Sequence, residues 1–422
     1  MNVQNGVSRM FKTDYIQNIF ADRIGGKQFG LTNEIYKFEK IKRAKREATK
    51  RHPEKQLIDL GVGEPDAKAD DRVIKILAEE ANLSENRFYA DNGIDDFKIA
   101  AATYMKKVFG VDNLDPLTEI NHVIGTKSAL AMIPTAFINP GDITIMPSPN
   151  YPVLGTHTEY LGGKVVHLPL LEENSFLPKL ETLSDEVLKK AKLLYLNYPN
   201  NPTGAVANRQ FFKDVVTFAK KHELIVIHDA AYAGLVFDGE EPLSFLSVSG
   251  AKDVGIELHS LSKAFNMTGW RIGFIAGNAK LVSAIAFVKD NFDSGQFIPI
   301  QKAAAYALSL PEITKQTAEK YSRRHEYLTK VLKDLGFCVK KPKGSFYLYV
   351  RIPKSVENGP EFKSAEQFSQ YLINEHLIST VPWDDVGSYI RLSVTFEANS
   401  VEEEKKVFEE IKARLTTTKF IF

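Results

Sequence analysis

"KLLYLNYPNNPTGAVANRQFFKDVVTFAKKHELIVIHDAAY", residues 192–232, carries the strongest architectural signal in the chain. It opens on a short apolar run, KLLYLNYP (192–199), and turns through NNPTG (200–204). Helical spacing follows in QFFKDVVTFAKKH (210–222), and then a second apolar run, ELIVIHDA (223–230). Two runs apolar on both faces, separated by one helix, are the pattern of parallel strands covered on each side. The same alternation extends in both directions. Upstream lie HVIG (122–125) before KSALAMIPTAF, DITIMP (142–147) before NYPVLGTHTEYL, and KVVHLPL (164–170). Downstream come VGIELHSLS (254–262) and RIGFIAGN (271–278). Beyond residue 305, charged helical stretches bracket FCVKKPKGSFYLYVRI (337–352) and SYIRLSVTF (388–396), which suit antiparallel strands.

The expected fold class is therefore α/β: a large, mostly parallel α/β/α sheet domain over residues 66–305 with a smaller α+β domain. The latter is expected from residues 34–65 and 306–422. Residues 1–33, with the Gly-rich RIGGKQFG (23–30), read as an extended N-terminal arm. A chain of 422 residues has the length for two such domains.

Bulk composition narrows the function. The formal net charge is +1, which argues against nucleic acid or a membrane surface as the main partner. The lone cysteine, Cys338, excludes an intrachain disulfide and a Cys-based metal site, so no metal is expected. It also fits a reducing, cytoplasmic compartment. No apolar run is long enough for a membrane span, and MNVQNGVSRMFKTDY lacks the apolar core of a signal peptide.

Open α/β sheets bind ligands beyond the carboxyl ends of their strands. Here those ends carry Gly125-Thr126-Lys127, Pro149-Asn150-Tyr151, Asn200-Asn201-Pro202-Thr203-Gly204, Asp229-Ala230-Ala231-Tyr232 and Ser260-Leu261-Ser262-Lys263. Each alone has an ordinary reading: NPTG as a turn, Asp229 as a helix cap, GTK as a loop. Lys263 could snorkel to water from among its apolar neighbours. It could also be a desolvated amine, nucleophilic towards a carbonyl. Five polar strand ends on one sheet edge favour the second. The cofactor that pairs with such a lysine in amine chemistry is pyridoxal 5′-phosphate. Its phosphate needs backbone N–H groups at a helix start (Gly125, Thr126), hydroxyls (Ser260, Ser262) and a cation (Arg271). A buried carboxylate, Asp229, would keep the pyridine nitrogen protonated. Asn201 and Tyr232 can donate to the phenolic oxygen, and Tyr151 can stack on the ring.

SLSKAFNMTGWRIG (260–273) resembles the lysine signature of the class I/II, fold type I, pyridoxal-phosphate-dependent aminotransferases, with Arg271 eight residues after Lys263. GVGEPD (61–66), GTKSA (125–129), NPTG (201–204), DAAY (229–232) and IRLS (390–393) recur in that family's order. The resemblance implies that Lys263 forms the imine with the cofactor and shuttles the α-proton in a ping-pong reaction. It implies Arg391 for the substrate α-carboxylate, helped by Gly63 and Asn201, and Lys127 among the residues around the cofactor. It further implies a homodimer with shared sites, in which a partner-subunit tyrosine reaches the cofactor phosphate. Within NRFYADNG (86–93), Tyr89 is assigned that role, with Phe88 as the competitor. The chain is most similar to the LL-diaminopimelate aminotransferase branch, in the stretch before NEIYKFEKI (33–41), in GVGEPD and in YADNG. That likeness implies transfer from LL-diaminopimelate to 2-oxoglutarate in lysine biosynthesis, the product cyclising to tetrahydrodipicolinate. Lys127 and Tyr36 would then meet the distal carboxylate, and Asp91 would stand in for the branch's acidic residue. The alternative for Lys127 is a helix-start role. The alternatives for the protein are an aspartate, alanine or aromatic aminotransferase, or a C–S β-lyase. A DNA-binding regulator on the same fold is disfavoured, because the first 30 residues are too short for a winged helix.

Overall fold

The computed structural model describes residues 15–31 and 37–422. A seven-stranded sheet forms its centre. The strands are β1 (Ile120–Val123), β2 (Ile143–Ser148), β3 (Lys164–Pro169), β4 (Ala191–Asn197), β5 (Ile225–Asp229), β6 (Gly255–Ser260) and β7 (Gly273–Gly277). They lie in the order β1-β7-β6-β5-β4-β2-β3. β7 alone is antiparallel, to both β1 and β6. The remaining pairs are parallel, so β1 runs in the same sense as β2–β6 and their carboxyl ends share one edge.

The alternation along β4 explains why the sheet is buried twice. Leu193 and Tyr195 pack into one cluster with Ala129, Ile133, Leu154 and Ile285 from the helices Thr126–Phe137, Val153–Tyr160 and Ala279–Lys289. Leu194 and Leu196 point the other way, against Phe97, Phe212 and Val215 from the helices Asp95–Phe109 and Arg209–His222. Successive strand side chains alternate faces, so a strand buried on both must be apolar throughout. The helix Arg209–His222 shows the complementary period. It buries Phe212, Val215, Val216 and Ala219. Asn208 caps its start by accepting from the Phe211 N–H, and Lys220, Lys221 and His222 lie in its last turn, where the helix dipole favours cations.

A second, three-stranded antiparallel sheet is built from β8 (Tyr347–Arg351), β9 (Val381–Trp383) and β10 (Tyr389–Ser393), in the order β9-β10-β8. Beside it Ile41, Ala44 and Ala48 of the helix Lys37–Arg51 pack with Ile373, Val381 and Trp383. Ile58 and Asp59 pair in parallel with Ile378 and Ser379. This pairing delivers the following segment, Gly61–Gly63, to Arg391 on β10.

Two local expectations change. Residues 15–31 are not extended; they fold into three short 3-10 turns, Tyr15–Asn18, Asp22–Ile24 and Gly26–Gln28. Gly25 and Gly26, at φ 111° and 53°, reverse the chain and bring the Phe20 and Phe29 rings within 5.0 Å. Within 337–352 only Tyr347–Arg351 forms a strand. Pro342 supplies no N–H to a ladder. Gly344 lies so close to Pro199 that a Cβ would come within 2.8 Å of its ring, and Ser345 has φ 61°, outside strand geometry. Among the described residues, no helix is long and apolar enough to cross a membrane.

Candidate active site

The carboxyl ends of the parallel strands open into a cavity of about 1130 Å³. Its walls include Thr126 and Lys127 after β1, Tyr151 after β2, Asn201 after β4, Asp229 and Tyr232 at the end of β5, and Ser260, Ser262 and Lys263 after β6. Arg271 joins them from the turn before β7, and Gly63 and Arg391 complete the lining.

Lys263 lies in a single helical turn, Leu261–Ala264, that Ser260 caps by accepting from the Ser262 N–H at 3.1 Å. The turn aims Nζ across the cavity to the Gly63 carbonyl, 2.8 Å away, and 5.7 Å above the Phe346 ring. Burial holds the amine down to about 8; the Glu64 carboxylate opposes that shift, and the Arg271 and Arg391 guanidinium groups add to it. Lys263 is thus no snorkelling surface residue.

Asp229 ends β5 and is 4% exposed. Oδ1 accepts from the Ala231 N–H at 3.2 Å and Oδ2 from the Tyr195 hydroxyl at 3.2 Å. Burial raises its carboxyl above the ordinary value, against the pull of those donors and of His228. No ion pair engages it among the described residues. A buried carboxylate in that condition calls for a cationic N–H.

Arg271 has a left-handed backbone, φ 57°, and donates through Nη1 to the Thr268 carbonyl at 2.7 Å and to Ser262 Oγ at 3.4 Å. Gly125 lies directly behind it: a Cβ there would collide with Nη2, and φ +73° already excludes most side chains. Gly125 therefore does not line the cavity itself; it admits the guanidinium that does. The helix Thr126–Phe137 begins there with no side-chain cap, so its first N–H groups are free to meet an anion.

Arg391 is 5% exposed. Nη1 donates to Asn201 Oδ1 at 3.0 Å and Nη2 to the Gly61 carbonyl at 3.1 Å; Nε has no hydrogen-bond partner among the described residues. The guanidinium carbon lies 4.1 Å from the centre of the Tyr347 ring, and Tyr347 Oη is 3.2 Å from Tyr232 Oη. A buried guanidinium with an open donor and no carboxylate fits an incoming one. Gly63 is fixed by the same tyrosine, since a Cβ there would lie 2.8 Å from Tyr347 Oη.

The remaining expected residues divide. Lys127 is exposed at the cavity wall. Tyr89 and Phe88 do not line the cavity of their own chain; they are 84% and 58% exposed on its surface. Asp91 uses its backbone carbonyl to accept from Lys289 and lies away from the cavity. Tyr36 lies outside the described residues. Tyr195, Tyr347, Trp383 and His167 escaped the sequence reading although the first touches Asp229 and the others line the cavity. Tyr195 and Tyr347 sit within apolar strands, where an aromatic residue carries no separate signal. No cluster of His, Cys, Asp and Glu able to hold a metal ion occurs among the described residues.

An amine of lowered basicity, a buried carboxylate and an anion cradle on a doubly covered sheet define a pyridoxal-phosphate enzyme of fold type I. The family described as aminotransferase class I and II matches residues 55–407, and the chain belongs to it. The chain is 60% identical over 409 residues to the LL-diaminopimelate aminotransferase of Methanocaldococcus jannaschii, covering 95% of this chain and 97% of that one. It is 56% identical over 413 residues to the enzyme of the same name from Methanococcus maripaludis, covering 97% and 99%. Among solved structures, apo-BacF from Bacillus subtilis superposes with a TM-score of 0.83 at 33% identity, covering 94% of this chain and 98% of that chain. The protein is an aminotransferase that works with pyridoxal 5′-phosphate. The Arg271 guanidinium, the uncapped helix start and the cation-seeking Asp229 fit that cofactor at its two polar ends.

Proposed function

We propose that this chain moves an amino group from LL-2,6-diaminopimelate to 2-oxoglutarate, giving glutamate and an amino-oxo acid whose carbonyl closes on its remaining amine to tetrahydrodipicolinate. The observation that carries the choice of donor is the 60% identity, over 95% of the chain, to an LL-diaminopimelate aminotransferase. Pyridoxal phosphate, when bound, supplies an aldehyde carbon that takes up the amino group and a pyridinium ring that draws electron density from the donor's α-carbon. The chain's own groups do the rest. Lys263 Nζ, with a pKa near 8, is partly neutral at pH 7 and so can bond to a carbonyl carbon and later accept and return the α-proton. Asp229 accepts the pyridine N–H. Asn201 already offers Oδ1 to Arg391, which leaves Nδ2 as a donor towards the ring oxygen, alongside the Tyr232 hydroxyl. Tyr151 stacks on the ring. Arg271, Ser260, Ser262 and the helix start after Gly125 hold the phosphate, and Arg391 with Gly63 holds the α-carboxylate. Lys127 meets the distal carboxylate of a long donor.

We also propose a cytoplasmic homodimer in which Tyr89 of the partner subunit completes the phosphate site. Support comes from exposed large apolar side chains, Phe88 and Tyr89 on one segment and Phe287 and Phe292, which line one shallow hollow with Asn92. Residues 66–305 would form the cofactor domain, 34–65 with 306–422 the smaller one, and 1–33 the arm.

The test is to supply the holoenzyme with LL-diaminopimelate, aspartate, alanine or cystathionine, each with 2-oxoglutarate and cystathionine also without it, and follow glutamate and pyruvate. Diaminopimelate should give the highest kcat/KM for glutamate. Equal values for aspartate or alanine would make it a general aminotransferase. Pyruvate from cystathionine without the oxo acid would make it a lyase.

A further inference from the structure

We propose that Gln296 is a positioning residue for the phosphate cradle: its single amide clamps the backbone that aims Arg271 and ties it to the first sheet strand. The inference rests on the reading that Arg271 holds the cofactor phosphate. Gln296 lies outside the cavity, in the segment before the helix Ile298–Leu308. Its Nε2 donates to two successive carbonyls, Trp270 O at 2.6 Å and Arg271 O at 3.0 Å. Its Oε1 lies 2.9 Å from Nε2 of His122 on β1.

The orientation of this amide is forced. Two carbonyls can only accept, so the NH₂ group must face them and Oε1 must face the ring. His122 Nε2 must then carry the proton, and burial supports a neutral ring by pushing the imidazole down to about 4. The clamp addresses a strained point. Arg271 is a non-glycine residue in the left-handed region, which L side chains avoid unless their surroundings hold them there. The backbone dihedral angles that direct its carbonyl also direct the Cα–Cβ bond from which its side chain departs. Donors on the Trp270 and Arg271 carbonyls therefore hold the backbone from which the guanidinium reaches Thr268, Ser262 and the space beside Gly125. Because His122 precedes Gly125 by three residues on the same strand exit, the amide joins both halves of the cradle.

Gln296 is itself held from behind. Gln301, fully buried, donates through Nε2 to the Gln296 carbonyl at 2.8 Å and accepts at Oε1 from the Ile94 N–H at 2.9 Å. Gly295 bridges to Ala90, next to Tyr89, and its N–H donates to Asp293 Oδ1 at 2.8 Å. Asp293 in turn pairs with Lys289, which is fully buried and also donates to the Asp91 carbonyl. The loop bearing Tyr89 and the backbone of Arg271 are thus fastened to one segment.

The test compares apoprotein affinity for pyridoxal 5′-phosphate with that for pyridoxal, which lacks the phosphate, by quenching of protein fluorescence. Gln296→Met keeps the length and removes donor and acceptor; Gln296→Asn is a milder variant should the first fail to fold; Arg271→Gln is the reference. Both Gln296 variants should weaken pyridoxal phosphate binding, Gln296→Met by at least about tenfold, while pyridoxal binding stays within about twofold. Unchanged phosphate-ester binding, or an equal loss for both ligands, would overturn the proposal. If Arg271→Gln itself leaves the ratio of the two affinities unchanged, the underlying reading of Arg271 fails and the proposal falls with it. If Arg271→Gln lowers the ratio and neither Gln296 variant does, only the clamp is wrong.

Discussion

Two buried arginines stand on either side of the segment Gly61–Asp66, and they differ in what surrounds them. Arg324 is fully buried and fully answered. Nε meets Glu404 at 2.9 Å, Nη2 meets Asp66 at 3.0 Å, and Nη1 donates to the Val394 and Phe396 carbonyls at 2.9 Å each. Arg391 has two neutral acceptors, an idle Nε and no carboxylate. The acids repeat the contrast. Glu257, also fully buried, lies between His228 at 2.8 Å and His259 at 2.6 Å and accepts from Ser244 and the Phe245 N–H, and its carboxyl is held well below the usual range despite burial. Asp229, one residue beyond His228, has its carboxyl raised. Completed buried charges hold the frame; the incomplete ones lie in the cavity and wait for a ligand's charge.

The largest expected break of that contrast is at Lys263, the incomplete cation at the centre. Lys263→Ala should lower transamination by at least about 10⁴-fold, the upper range for a positioned base that is also a nucleophile. Turnover near wild type would remove Lys263 from the mechanism. In the apoprotein, the neutral amine is the reactive form, so the rate of modification by an amine reagent should rise with pH. Half its plateau should fall near pH 8, where the lowered pKa lies, rather than near 10.5.

The arginines come next, and they should exchange symptoms. Truncating one member of a buried charge pair costs about 2–5 kcal/mol, or roughly 30- to several-thousand-fold. Arg391→Met should show that loss in kcat/KM for every amino-acid donor while the melting midpoint holds. Arg324→Met removes the buried cation shared by Asp66 and Glu404, leaving Asp66 to Lys320 and Glu404 to Arg323; it should lower folding stability instead, by less than the ~3–5 kcal/mol of a buried charge left wholly unpaired. Matching melting curves for the two variants would erase the distinction.

The acids should behave likewise on a smaller scale. Asp229→Asn should lower kcat at saturating cofactor by about 10- to 150-fold, from the ~1.5–3 kcal/mol of a charged hydrogen bond. A loss confined to cofactor affinity would contradict its electronic role. Glu257→Gln should leave kcat near wild type and lower the melting midpoint at neutral pH. The pH dependence fixes the sign. A carboxyl depressed by folding stabilises above its unfolded value of 4.5 and loses that contribution as pH falls through the folded value. The wild type and Glu257→Gln melting curves should therefore converge below about pH 4.5. For Asp229 the shift is upward, so its burial penalty in the apoprotein grows as pH rises from 3.8.

Lys127 should give the smallest effect. An exposed ion pair is worth ~0.2–1 kcal/mol, so Lys127→Ala should lower kcat/KM for diaminopimelate by up to about fivefold and leave alanine unchanged. A uniform change across donors would assign Lys127 to the helix start alone.

The sheet and one wall of the cavity are legible in the order of residues along the chain. A strand buried on both faces must be continuously apolar, and its polar exit residues stand out against that run, as Asp229 does after Leu224–Ile227 and Lys263 after the run ending at Leu258. Such signals are local and survive without coordinates. Which charged groups find partners emerges from the folded chain alone. Nothing near Arg324 or Arg391 in the chain announces that the first finds Asp66 and Glu404 and the second finds only Asn201 and Gly61. Those partners are supplied by chain crossings between distant segments. The same holds for Tyr195 on Asp229, Tyr347 under Arg391 and the Gln296 amide on Arg271. Each reads locally as an ordinary strand or loop residue. Charge and hydrogen-bond satisfaction depend on distances of about 3 Å between segments far apart in sequence, and spacing along one chain carries no record of them.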